Sequence, residues 1–185
     1  MAMKVLAISG SLRKDSFNRK ALQHAKRLAA AAGAEVEELD LKTLALAMYD
    51  GDLETNGLPD NVKTLKARVE AADVLLIATP EYNHSISGAL KNAIDWLTRG
   101  SNSLAGKWAV ILGVSVGVYG TLRAQQHLRQ MLTALDVMIL PQPQVLIGPS
   151  ATAFDADGAL TDKVMDGRLR ALVDKTLQTA ATLKG

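Results

Sequence analysis

Short, wholly apolar segments alternate along this chain with longer segments of helical periodicity. Residues 5–8, 74–78 and 108–114 are almost entirely apolar, as expected of strands buried on both faces. Each leads into a loop, and apolar residues at helical spacing follow that loop. Strands that alternate with helices are typical of a parallel sheet covered by helices on both faces. The alternation therefore predicts an α/β fold with three layers.

Five strands and five main helices are predicted. The strands are expected at residues 5–8, 36–41, 74–78, 108–114 and 137–146, with the last broken by Pro141 and Pro143. The helices are expected at residues 20–32, 62–72, 88–99, 122–135 and 161–183. Residues 43–60, which contain Gly51, Gly57 and Pro59, are expected to be an irregular surface excursion. Without internal repeats or linkers, residues 1–185 are predicted to form a single doubly wound, five-stranded, flavodoxin-like domain.

The loop after the first strand has the composition of an anion site. It contains Ser11, Arg13, Ser16 and Asn18, and a helical segment begins near Phe17. Hydroxyl and amide donors, a guanidinium and the free N–H groups of a helix start all favour a phosphate. The alternative is a simple capped helix, with Ser16 or Asn18 as the cap.

Composition excludes several classes of site. The net charge is +2, aromatic residues make up 4%, and no basic cluster is present, so nucleic-acid binding is not expected. There is no Cys, and the three His residues lack ligand spacing, so no metal site is predicted. The apolar run near the N-terminus is too short for a signal peptide or membrane span. We therefore expect no membrane association and a cytoplasmic location.

Three unusual loops follow the first, third and fourth predicted strands. In doubly wound sheets, ligands bind beyond the carboxyl ends of the strands, where the strand order reverses. Right-handed crossovers would bring these three loops to one edge of the sheet. We therefore predict a single ligand site there.

The motifs VLAISGSLRKDSFN and TPEYNHSISGALKNAIDW, with the Gly-containing loop before RAQQHLRQ, resemble the NAD(P)H-dependent FMN reductase family. Bacterial quinone and chromate reductases and FMN-dependent azoreductases are its most similar members. The resemblance implies non-covalent FMN, with NADH or NADPH as co-substrate. It also implies ping-pong hydride transfer to a quinone, azo, chromate or flavin acceptor, with no catalytic side chain assigned.

The resemblance also implies which residues contact the flavin. Phosphate contacts are expected in the first loop, ring contacts in the second and third. The expected FMN-binding residues are Ser11, Arg13, Ser16, Phe17, Asn18, Pro80, Glu81, Tyr82, Asn83, Ser115, Gly117 and Gly120. The N–H groups of Tyr82 and Asn83 are expected to point at flavin N5 and O4, and backbone N–H groups of the third loop at the N1–C2 edge. The alternative for the second loop is a rigid turn with Asn83 in a left-handed conformation.

The helix predicted at residues 88–99 is expected to build a homodimer or homotetramer, as the resemblance implies. Its stripe of Leu90, Ala93, Ile94 and Leu97 is typical of core or interface, and Trp96 is expected to be a partly buried anchor at the contact. Some relatives carry an acidic residue after the Pro near the fifth strand where this chain has Gln144, so the charge pair between subunits that they imply is not expected here.

The same residues allow other functions. A flavodoxin-like electron carrier is the main alternative, although carriers tend to be acidic and the isoelectric point here is about 8.9. The segment from Gly113 to Gly117 matches the pattern of a hydrolase nucleophile elbow around Ser115. No acid lies between Ser115 and His127, so a Ser–acid–His triad is not expected. His84 is either a pocket residue or, as we favour, a solvated side chain.

Overall fold

The computed structural model describes residues 2–184, and its centre is a parallel sheet. The strands are β1 (Lys4–Ser9), β2 (Glu35–Leu39), β3 (Val74–Ala78), β4 (Trp108–Val114), β5 (Met138–Ile139) and β6 (Val145–Ile147). Their order is β2-β1-β3-β4-β5, with β6 also pairing with β4, and every pairing is parallel. The order reverses between β1 and β3, which confirms the flavodoxin-like, doubly wound prediction.

Helices cover both faces of this sheet. They are α1 (Phe17–Ala31), α2 (Leu41–Leu44), α3 (Gly51–Thr55), α4 (Asp60–Ala71), α5 (Gly88–Leu97), α6 (Leu122–Ala134) and α7 (Lys163–Lys184). Alternate residues of β1 sort the two cores: Val5 and Ala7 pack with α1 and α7, whereas Leu6 and Ile8 pack with α4, α5 and α6. The three predicted layers are therefore present.

The fifth predicted strand is divided into two. Residues 140–144, with Pro141 and Pro143, interrupt it, because proline cannot donate to a ladder. The short strands β5 and β6 pair with the start and the end of β4. The sheet consequently has six strands rather than five.

The prediction of an irregular excursion at residues 43–60 was wrong in part. Helices α2 and α3 lie there, and each begins behind an aspartate whose side chain accepts a backbone N–H: Asp40 from Lys42 and Asp50 from Asp52. Contacts from α5 also fix this segment. Asn92 Nδ2 donates to the Ala47 carbonyl at 2.8 Å, and Asn92 Oδ1 accepts the Tyr49 N–H at 2.7 Å.

The same segment overturns the prediction for Trp96. Trp96 is 0% exposed within the single chain, and its Nε1 donates to the Ala47 carbonyl at 2.8 Å. Its ring meets the Tyr49 ring edge-on, with centroids 5.0 Å apart. A side chain so enclosed has no free surface for a subunit contact. The stripe of Leu90, Ala93, Ile94 and Leu97 is core, as one of the two predicted roles required.

Among residues 2–184, no helix is both long and apolar enough to cross a lipid bilayer.

Candidate functional site

The three predicted loops converge on one cavity beyond the carboxyl ends of β1, β3 and β4. The cavity has a volume of about 180 Å³. Its lining residues are Ser11, Arg13, Ser16, Phe17, Asn18, Pro80, Glu81, Tyr82, Val114, Ser115, Val116 and Ser150. All of the predicted residues are in this lining except Asn83, Gly117 and Gly120. We call this space the loop cavity.

Unpaired hydrogen-bond donors gather at the first-loop end of the loop cavity. Ser16 caps α1 by accepting the Arg19 N–H at 3.3 Å, which leaves its own O–H free to donate. The N–H groups of Phe17 and Asn18 form no hydrogen bond with another residue among 2–184, and neither does the exposed Arg13 guanidinium. Donors at a helix start, with a cation beside them, are the arrangement that binds phosphate.

The Asn18 side chain has a structural task in addition. Its Oδ1 accepts the Val114 N–H at 2.9 Å, and its Nδ2 donates to the Val114 carbonyl at 3.0 Å. This paired contact joins the start of α1 to the end of β4. One N–H of the Asn18 amide is left for a ligand.

The second loop is a tight turn. Tyr82 and Ser85 exchange two backbone hydrogen bonds, at 2.9 and 3.0 Å, around Asn83 and His84. Both central residues have positive φ, 49° and 66°, as in a type I′ turn. The left-handed Asn83 of the structural alternative is therefore present.

This turn corrects one predicted flavin contact. The Tyr82 N–H donates to the Ser85 carbonyl, so it is not available to a flavin atom. The N–H groups of Glu81 and Asn83 have no acceptor among residues 2–184, which leaves them as the free donors of this loop. His84 has a side chain that is 73% exposed, as expected of a solvated residue.

Glu81 is a structural carboxylate. Its Oε2 accepts the N–H groups of Arg123 and Ala124, at 3.0 and 3.2 Å. These are first-turn N–H groups of α6, where a negative charge is stabilised by the helix dipole. The side chain of Glu81, the one carboxylate in the cavity lining, is thus engaged in capping a helix.

The third loop is fixed at its ends and projects between them. Ser115 donates its N–H to the Ile147 carbonyl at 3.1 Å, and Ser115 Oγ accepts the Gly117 N–H at 3.2 Å. Gly120 has φ of 58°, and a Cβ there would lie 2.8 Å from the Leu146 carbonyl carbon. Gly120 is therefore buried against β6 rather than facing the loop cavity.

The projecting part of this loop is apolar. Val116, Val118 and Tyr119 are 84%, 74% and 68% exposed, and Val116 lines the loop cavity. Their N–H groups have no acceptor among residues 2–184. The backbone donors expected from this loop are therefore present, but they belong to neighbours of Gly117, whose own N–H is used.

Sequence reasoning missed Val114, Val116 and Ser150 as lining residues. Ser150 begins a 3₁₀ turn, Ser150–Thr152, and its N–H donates to the Ser115 carbonyl at 3.0 Å. A signal for it was available, because Gly148-Pro149-Ser150 follows a strand in the same way as the three other loops do.

The nucleophile-elbow pattern is not a hydrolase site. His127 Nδ1 lies 3.1 Å from Ser85 Oγ, whereas Ser115 Oγ is hydrogen-bonded to Gly117. Among residues 2–184, Ser115 Oγ therefore has no His partner to act as its base.

The loop cavity fits a flavin nucleotide. The first-loop residues in the lining offer donors to a phosphate, and none of these residues is a carboxylate. Pro80, Val114 and Val116 add apolar side chains to the lining, and the second and third loops carry free N–H groups. A flat ring with acceptor atoms on its rim suits those walls and donors.

Comparison with known proteins agrees with this geometry. A family model described as NADPH-dependent FMN reductase matches residues 3–152. The chain belongs to this family. Both the predicted family and the prediction of an NAD(P)H-dependent, FMN-linked oxidoreductase are thereby confirmed.

Two curated relatives are similar over most of the chain. An NAD(P)H-dependent FMN reductase of Pseudomonas aeruginosa is 46% identical over 177 residues, covering 95% of this chain and 92% of the relative. A quinone reductase of Escherichia coli K12 is 42% identical over 167 residues, covering 89% and 86%. The names of both relatives are those of reductases.

A solved structure shows the same fold. The flavoenzyme NAD(P)H:(acceptor) oxidoreductase FerB of Paracoccus denitrificans is 37% identical, has a TM-score of 0.86 and covers 98% of each chain. The chain therefore shares the architecture of a flavoenzyme over 98% of its residues. The electron-carrier alternative receives no support from these comparisons.

Proposed function

We propose that the chain, as a single domain, binds FMN in the loop cavity and transfers hydride from NADPH or NADH to a small electron acceptor. The acceptor would be a quinone, an azo compound, chromate or free flavin, in a ping-pong cycle. One observation carries the proposal: three loops from neighbouring strands meet around a cavity that is lined by both unpaired donors and apolar side chains.

FMN, when bound, would supply the hydride and electron chemistry. The protein's residues would bind and orient it. Arg13, the Ser16 hydroxyl and the N–H groups of Phe17 and Asn18 would hold the phosphate. The free N–H groups of Glu81 and Asn83 would face acceptor atoms of the ring, and those of the third loop would stabilise negative charge at its edge.

The test is FMN binding followed by turnover. Purified protein is titrated with FMN, flavin fluorescence is followed, and NADPH and a water-soluble benzoquinone are then added. We expect saturable binding and oxidation of NADPH that requires the quinone. Bound FMN without oxidation of NADPH or NADH would favour the electron carrier, and a protein that does not bind FMN would refute both functions.

We also propose a homodimer or homotetramer. A groove of about 620 Å³ lies between α5 and α6, and Ile86, Met131 and Ala134 give it apolar walls. Trp96 is not part of it, so these residues would replace Trp96 at the contact. Light scattering on the protein as it elutes from a size-exclusion column measures the mass of the particle in solution. A monomer at micromolar concentration would contradict the proposal.

A further inference from the structure

Helix α6 begins without a cap from its own sequence. Thr121 stands at the N-cap position, but its side chain accepts no N–H from the first turn. Its Oγ1 instead accepts a hydrogen bond from Gln125 Nε2, at 3.0 Å. The first turn of α6 also contains no acidic residue. Helix N-termini need acceptors for their free N–H groups, so α6 requires one from elsewhere.

Glu81 supplies that acceptor from another part of the chain. Its Oε2 lies 3.0 Å from the Arg123 nitrogen and 3.2 Å from the Ala124 nitrogen, the second and third residues of the helix. An N-cap side chain satisfies the same two positions. Glu81 Oε1 is 3.5 Å from Arg123 Nη1, and only 12% of the Glu81 side chain is exposed.

This contact joins two walls of the loop cavity. Glu81 belongs to the second loop, and α6 follows directly from the third loop. The ends of the second loop are held separately, by the Thr79 N–H on the Leu112 carbonyl at 3.0 Å and by Ser87 Oγ on the Gly10 carbonyl at 2.5 Å. Between those ends, the hydrogen bonds from this loop to α6 among residues 2–184 are those of Glu81 and an exposed contact of Ser85 Oγ with His127 Nδ1.

We infer that Glu81 is a positioning residue: its carboxylate, by capping α6, sets the distance between the second and third loops and thereby the shape that receives FMN. This inference rests on the proposed function. The free N–H groups of Glu81 and Asn83 lie on the second loop, which Glu81 positions. Loss of the capping contact would therefore move these donors as well as the side chains that line the cavity.

The chain contains a matched control. Asp162 Oδ1 accepts the N–H groups of Val164 and Met165, at 2.9 and 3.1 Å, which are again the second and third residues of a helix, α7. Asp162 does not line the loop cavity. Glu81→Ala and Asp162→Ala therefore remove caps from the same two positions of a helix, and they differ in what each cap positions.

The experiment compares FMN dissociation constants and melting temperatures of the parent, Glu81→Ala, Glu81→Gln and Asp162→Ala. We expect both alanine variants to lower the melting temperature, because each loses a helix cap. Only Glu81→Ala should raise the FMN dissociation constant, by about tenfold. Glu81→Gln keeps a carbonyl oxygen for the two N–H groups and should recover most of that loss, to within about threefold of the parent.

A measurement on the parent protein covers the case in which Glu81→Ala does not fold. FMN should slow amide hydrogen exchange at Arg123 and Ala124 at least about threefold and leave Val164 and Met165 unchanged. Equal dissociation constants for parent and Glu81→Ala, or no slowing at Arg123 and Ala124, would overturn the inference. If the parent itself bound no FMN, the proposed function would fail instead.

Discussion

The two ends of the parallel sheet differ in whether their polar groups have partners. At the amino end, Asp73 accepts the Lys4 N–H at 2.9 Å and the Lys184 ammonium at 2.6 Å. Lys107 Nζ donates to the carbonyls of Glu70 and Ala72, at 2.8 and 2.6 Å. The charged groups of Asp73, Lys107 and Lys184 are therefore paired with neighbours in the fold.

The carboxyl end keeps its donors unpaired. Arg13 and the N–H groups of Phe17 and Asn18 have no partner among residues 2–184. A cavity of about 330 Å³ beside Asp73 and Lys107 is larger than the loop cavity of about 180 Å³. The comparison teaches that unsatisfied donors, and not the size of a hollow, mark the binding end of this fold.

The largest expected effect tests the close packing beneath the loops at the carboxyl end of the sheet. A Cβ on Gly113 would lie 2.0 Å from Thr121 Oγ1 and 2.4 Å from the Thr79 carbonyl oxygen. Gly113→Ala should therefore cost about 3 kcal/mol of unfolding free energy, measured by urea denaturation. Gly167→Ala, with no atom within 4 Å of the new Cβ, is the control and should not destabilise the protein. Equal stability of the two variants would contradict the packing described.

The second prediction removes the unpaired donors. Arg13→Ala combined with Ser16→Ala should weaken FMN binding about 100-fold, because a charged and a neutral hydrogen bond to phosphate are lost. Stability should fall by only about 1 kcal/mol, from the lost cap of α1.

Its control is Arg170→Ala combined with Asp162→Ala, which removes an exposed arginine and a helix cap on α7. That pair should lose similar stability and bind FMN as the parent does. Retention of tight FMN binding by the Arg13/Ser16 variant would break the comparison between the two ends.

The third prediction removes a paired charge at the amino end of the sheet. Asp73→Asn should lower the unfolding free energy at neutral pH by about 1 kcal/mol, a modest value because the Lys184 partner is exposed. FMN affinity should not change, since Asp73 lies at the opposite end of the sheet. A weakened affinity for FMN would show that the two ends are coupled.

The smallest effect is the pH dependence of that loss. Burial alone would raise the pKa of Asp73, but hydrogen bonds from Lys184 and the Lys4 N–H, with the charges of Lys184 and Lys107, hold this pKa below its usual value. A lowered pKa in the folded state stabilises the protein above the unfolded pKa of about 3.9. The difference between parent and Asp73→Asn should shrink as pH falls through the folded pKa, and urea titrations at pH 7 and at about pH 3 measure it. A constant difference would be contrary evidence.

Local pattern was enough for the sheet and for most of the site. The bounds of β3 and β4 match the prediction residue by residue, because buried parallel strands are continuously apolar. The loop cavity follows from topology, which brings the carboxyl ends of β1, β3 and β4 to one edge.

The misses come from contacts between residues distant in sequence. Trp96 is enclosed because residues 47–49 fold over it, and nothing within its own helix shows this. The capping of α6 by Glu81 spans more than forty positions. The use of the Tyr82 N–H depends on turn geometry, which sequence suggested only as an alternative.

The paired contact of Asn18 with Val114 has a consequence for redesign. A side-chain amide that exchanges two hydrogen bonds with a backbone unit extends the ladder of β4 by one rung. Residues 116–119 are thus fixed on their N-terminal side by the Asn18 contact and on their C-terminal side by Gly120, which packs against β6. We therefore expect residues 116–119 to tolerate substitution, so that variant libraries can change this side of the loop cavity while the sheet and helices stay constant.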